Sequence, residues 1–282
     1  MRRLFIVLAS LVVSVSAMAQ PVLKDLRNNF KNFSAKTSMV VLSPDGIVDA
    51  AIRDAVTKGW KLSPYKFCNY NEYEKIKNDT SFFFLIKTDG RQRREAEPGI
   101  EYLTLVKGGY EMRNSIERHP ELISLPLRSL DEDHFNVSYA PAYISIFQNY
   151  IRKIQRGVLL AFTGEMSYTD SQDGIENKTI LFNTSDLSFV PEPDEIKWMF
   201  RSKGYVVEEE KISEALDKAL PNHIVSLVIA PRDIPKGGVC YKLLISTDTH
   251  ELLYYKKHKL GNRNPRGFSR DDIKRISIPY QH

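Results

Sequence analysis

The densest run of reactive side chains is Lys256-Lys257-His258-Lys259, followed by Arg263, Arg266 and Arg270 and preceded by Tyr254 and Tyr255. Clustered ammonium and guanidinium groups beside aromatic rings can grip phosphate, lipid headgroups or an acidic glycan. The competing reading is an edge strand whose lysines guard it against aggregation. A second constellation is Asp131-Glu132-Asp133-His134, where hard oxygen ligands and an imidazole could hold a divalent cation. An acidic solvated loop ahead of a helix explains the same residues more simply. Asp170, Asp173 and Glu176 surround Gly174, but their spacing does not match an EF-hand loop.

The two cysteines, Cys68 and Cys240, are too few for a cysteine-based metal cluster. They could pair with each other in an oxidising compartment. Both sit in apolar, strand-like surroundings, where a thiol is usually inert packing. Trp60 and Trp198 could line a sugar-binding surface, although their positions after and within a helix favour packing in the core. The chain carries no G-x-S-x-G, H-E-x-x-H, Walker or G-x-G-x-x-G motif, and no closely spaced pair among its six histidines. No catalytic, cofactor or metal residue is therefore assigned.

Alternating and helical periodicities define the elements that must carry these residues. Strands are predicted at 38–42, 65–68, 81–86, 100–106 and 122–127, and again at 179–182, 205–207, 224–229, 240–246 and 251–255. Helices are predicted at 47–58, 71–77 and 140–156, then at 193–203, 212–220 and after Ser269. In the first helix, Ile47, Ala50, Ala51, Ala55 and Val56 form the expected core face. In the helix at 140–156, Tyr143, Ile144, Phe147, Tyr150, Ile151 and Ile154 recur on one face.

The same element order occurs twice at similar intervals. First strand to second is about 26 residues in one half and about 25 in the other. The reading is α/β with mixed sheets: two tandem β-α-β-α-β-β-β-α units at 37–165 and 179–282, after an arm at 20–36. Helical crossovers make the early strands of each unit parallel, and hairpins make the later ones antiparallel.

Arg2 and Arg3 precede the apolar stretch Leu4 to Val15, and Ala17-Met18-Ala19 has the form of a signal-peptidase site. Residues 1–19 are expected to be a signal peptide, with export to the periplasm or beyond and no transmembrane anchor. The whole chain has 282 residues, 40 basic and 35 acidic, for a net charge of +5. Cleavage would remove two arginines and leave a net charge of about +3, which argues against nucleic acid as a partner.

The element order, with Asn222 to Val228 as third strand and Cys240 to Tyr255 as strand–turn–strand, resembles the α/β module of the TolB N-terminal domain and of CsgG-type envelope proteins. Asp248-Thr249-His250-Glu251 stands where that module usually turns through Thr-Gly-Glu, with His250 replacing the glycine. The resemblance implies a scaffolding or assembly module. The expected role is accordingly an exported, non-catalytic protein that binds other cell-envelope proteins or further copies of itself. Two alternatives are a ligand-binding protein with its site between the units, and a hydrolase without a recognisable motif.

Overall fold

The computed structural model describes residues 27–280, apart from 45, 91–97, 114–115, 119–120, 133, 157–173 and 234–236. The expected signal peptide, the start of the arm, the basic loop at 91–94, Asp133, Asp170 and Asp173 lie outside the described residues.

The first unit runs β1 (Thr37–Val41), α1 (Ile47–Gly59), β2 (Tyr65–Cys68), α2 (Tyr70–Ile76), β3 (Phe82–Gly90) and β4 (Ile100–Lys107). A short hairpin of β5 (Glu111–Arg113) and β6 (Ile116–Arg118) precedes β7 (Glu121–Ser129) and α3 (Ala140–Gln155). The second unit runs β8 (Thr179–Asn183), α4 (Glu195–Met199), β9 (Gly204–Val207), α5 (Glu209–Asp217) and β10 (His223–Ile229). It ends with β11 (Val239–Ser246), β12 (Leu252–Lys259) and α6 (Arg270–Ser277).

The two sheets have the same topology. Their strand orders are β2-β1-β3-β4-β7 and β9-β8-β10-β11-β12. In each, the first strand is parallel to both neighbours. The later strands are antiparallel. The expected pattern of two similar mixed α/β units is therefore present. The β5–β6 hairpin is an insertion in the first that the periodicity did not reveal.

α3 holds the units together. All six residues expected on its core face are buried, and Ala140, Ala142, Ile146 and Gln148 are buried as well. An amphipathic helix needs only one apolar stripe when a single surface covers it. Here the helix joins one continuous core that includes β3, β4 and β7 of the first sheet, α5, and Val225, Tyr241, Leu243 and Ile245 of the second sheet. Gln148 is buried because it caps α1: its Oε1 accepts from Lys61 N at 2.8 Å and its Nε2 donates to Gly59 O at 2.9 Å. A separate core lies between the second sheet and α4 and α6, built around Phe182, Phe200, Phe268 and Ile273.

Two faces differ from expectation. α1 buries Val48, Asp49, Ile52, Ala55 and Val56, whereas Ile47 is 77% exposed. The seam is rotated by one residue, which turns Asp49 inward to an ion pair with Lys87 at 2.7 Å. Trp60 is buried as expected, but Trp198 is 82% exposed. α4 is a short helix anchored by Ile196, and two further residues turn Trp198 about 200° away from the core.

Candidate ligand-binding cleft between the two units

The cleft begins where two parallel strands part. β8 pairs with β10 only as far as Leu181 and Val225, whereas β8 stays paired with β9 through Asn183 and Val207. The chain leaves β8 toward one side of the sheet and later returns to β10 on the other. This divergence at the carboxyl ends of the strands is where open α/β sheets characteristically take ligands. Ser226 bridges the gap, its Oγ accepting from Asn183 N at 2.9 Å and donating to Asp186 Oδ2 at 2.6 Å.

Asp186 ends the single helical turn that follows β8, and is itself buried. Val228 N donates to its Oδ1 at 3.1 Å. Burial pushes its carboxyl up to about 6, against the opposing pull of the Ser226 hydroxyl, the Arg266 guanidinium and the Val228 amide. Arg266 reaches this point because the loop after β12 returns against Asp186. Phe268 N donates to Asp186 O at 2.7 Å, and Ser188 N donates to Phe268 O at 3.0 Å. Gly267 makes the approach feasible: it has φ +96°, and a Cβ there would sit 2.6 Å from Asp186 O.

The facing wall belongs to the first unit: Leu127, Arg128 and Ser129 of β7, then Glu132, His134, Phe135, Asn136 and Tyr139. The cavity between the walls has a volume of about 90 Å³. Polar contacts lock them across the cleft. Glu132 accepts from Arg266 Nη1 and Nη2 at 3.1 and 3.3 Å and from Arg232 Nε at 3.0 Å. Asp131 accepts from Arg232 N at 2.8 Å. His134 Nε2 lies 2.7 Å from Glu209 Oε1, and Asn136 Nδ2 donates to Ser213 Oγ at 2.8 Å. Tyr139 donates its hydroxyl to Ser226 O.

At the equivalent place in the first unit, the described residues carry ion pairs. At the carboxyl ends of β1 and β3, Lys87 pairs with Asp49 and lies 4.0 Å from Glu101. Glu101 in turn pairs with Arg128 at 2.7 Å. Among the described residues, both switch points thus carry ion pairs, and in the second they span a cleft between the units.

No protein-family model, curated protein or solved structure matches this chain.

The fold disperses the basic cluster. Lys256 and Lys257 are adjacent on β12 and point to opposite faces. Lys256 pairs with Asp272 of α6, and the Lys257 ammonium lies 5.5 Å from the centre of the Tyr241 ring in the shared core. Lys259 and Arg263 are exposed, and Arg266 enters the cleft. The lysines therefore do not share one face of the strand. Asp131 and His134 are exposed, as a solvated loop requires, but with the partly covered Glu132 they also bond to the second unit. Among the described residues, no three metal-ligating side chains come together.

Cys68 and Cys240 are free, buried thiols, so the possible pairing between them is not made. Cys68 packs with Met39, Val41 and Phe84, and Cys240 packs with Phe182 and Phe268 in a different cluster. Burial pushes both thiols up to about 11, which makes them unreactive. Sequence reasoning missed Asp186, Ser226, Asn136 and Tyr139. None stands in a motif: Asp186 and Ser226 meet only when the second sheet forms, and Asn136 and Tyr139 join them only when the units pack.

Proposed function

We propose that the protein is an exported, non-catalytic binding protein of the cell envelope that holds a small ligand in the cleft between its two units. One observation carries this reading: among the described residues, the switch point of the second unit is a cleft walled by both units, with buried Asp186 at its floor. Leu127, Phe135 and Leu227 supply apolar surface, and a few fixed polar groups surround it, the usual composition of a ligand site. A ligand bound only by the native state raises the melting temperature. A thermal-shift screen with sugars, nucleotides, peptides and organic acids should give at least one positive. Ser185 is exposed at the cleft, so Ser185→Trp should abolish that shift without disturbing the core. A screen without positives, or a shift unaffected by Ser185→Trp, overturns the reading.

Val190, 88% exposed, and Trp198 favour a second reading, an assembly role of the kind implied by the resemblance to TolB and CsgG-type modules. A photo-crosslinker at position 198 should then capture an envelope protein or a second copy in cells. Recovery of monomer alone argues against it.

A further inference from the structure

Resting on the reading of the cleft as a ligand site, we infer that its ligand carries one carboxylate on an apolar body, and that this carboxylate takes Arg266 from Glu132. Glu132 is a carboxylate supplied by the first unit, held in fork geometry by a guanidinium of the second. It occupies the position a ligand carboxylate would take. The hold is loose: 3.1 and 3.3 Å exceed the ~2.7–2.9 Å of strong charge-assisted bonds. Glu132 also divides its Oε1 between Arg266 and Arg232. Arg266 keeps a third donor unused, since its Nε is buried without a hydrogen-bond partner. A carboxylate placed squarely on the guanidinium gains shorter bonds, and Glu132 retains Arg232 when displaced.

The surroundings define the rest of the ligand. Lys242 and Lys256 share the single carboxylate of Asp272, a local excess of one positive charge, and Lys242 like Arg266 bears on the Cys240 thiol. Asp186 and Glu209 also line the cleft and would repel a polyanion. Leu127, Phe135 and Leu227 offer contact to an apolar body. An apolar monocarboxylate satisfies all three conditions.

The test is calorimetric titration of the intact protein with hexanoate and phenylacetate, with hexylamine and inorganic phosphate as contrasting probes. The wild type should bind the two carboxylates. Glu132→Gln removes the internal competitor and should tighten them about tenfold, the equivalent of one charge-assisted bond. Arg266→Lys keeps the charge without the fork and should weaken them about tenfold, with Arg266→Gln abolishing binding. Unchanged or weaker carboxylate binding by Glu132→Gln overturns the inference, as does failure of both carboxylates to bind the wild type. Preferential binding of hexylamine or phosphate, lost in Ser185→Trp, overturns the carboxylate while leaving the cleft as a ligand site.

Discussion

The Tyr139 hydroxyl, at the entry to the long helix of the first unit, donates to the main-chain carbonyl of Ser226 in the second unit at 2.5 Å. Both partners are buried, and Ser226 in turn holds Asp186 through its own hydroxyl. The bond therefore ties the packing of the units to the floor of the cleft. Tyr139→Phe leaves the ring in place and strips a buried carbonyl of its donor, at a cost of about 1–3 kcal/mol. Urea unfolding should show that loss, and hydrogen exchange should show faster opening around residues 226–228. A variant of wild-type stability and exchange would show that the bond does not couple the units.

Asp186 gives the protein an acid-side stability optimum component. Its folded carboxyl titrates at about 6, above the ~3.9 of an unfolded aspartate. The neutral form is thus favoured by folding. The resulting stability is fully present below about pH 4 and is lost as pH rises through 6. A shift of this size corresponds to roughly 2–3 kcal/mol between those limits. Asp186→Asn should flatten the stability profile over that window, measured by denaturant titration at each pH. Parallel profiles for variant and wild type would contradict the assignment.

Lys242 and Asp272 form an ion pair at 2.5 Å, with side chains 4% and 1% exposed. Burial alone would raise the Asp272 carboxyl, but hydrogen bonds from Lys242, Lys256 and the Ser269 backbone hold it well below the usual carboxylate range. Asp272→Ala strands a buried ammonium and removes the capping box at the start of α6, and should cost about 3–5 kcal/mol. Replacing both partners, Lys242→Met with Asp272→Asn, should cost less than Asp272→Ala alone. Equal losses from urea midpoints would show that the stranded charge is not the cause.

His250 occupies the turn between β11 and β12 with φ +53°, a left-handed conformation that costs a residue with a Cβ roughly 1–2 kcal/mol. Glycine relieves this strain but adds freedom to the unfolded chain. The net expectation for His250→Gly is a gain of about 0.5–1 kcal/mol, or a rise of roughly 1–4 °C in melting temperature. A lower melting temperature would show that the half-buried imidazole contributes more through packing than the backbone loses through strain.

Much of the architecture is written locally. The apolar stripe of α3, the two-residue alternation of the strands and the recurring intervals between them identify two mixed α/β units. Such periodicities reflect which side of each element meets a core, and they survive in sequence because every turn repeats them. Even here the reading slipped where a charge was buried. Asp49 looked like a solvent residue because its partner, Lys87, comes from a strand 38 positions away.

The cleft was not legible, for a related reason. Glu132 and Arg266 are 134 positions apart, and Asp186 and Ser226 are 40 apart. No local pattern encodes such pairs. The conspicuous lysine run does not form one face, since strand geometry sends Lys256 and Lys257 to opposite sides. The sequence by itself determined the elements, their order and their repetition, because these follow from short-range stereochemistry and hydrophobic spacing. Only the tertiary structure decided that Asp49, Lys87, Glu101 and Arg128 pair at one switch point while the other becomes a cleft between the units. That outcome depends on how β7 and α3 pack against the second sheet, a long-range balance of burial and charge pairing.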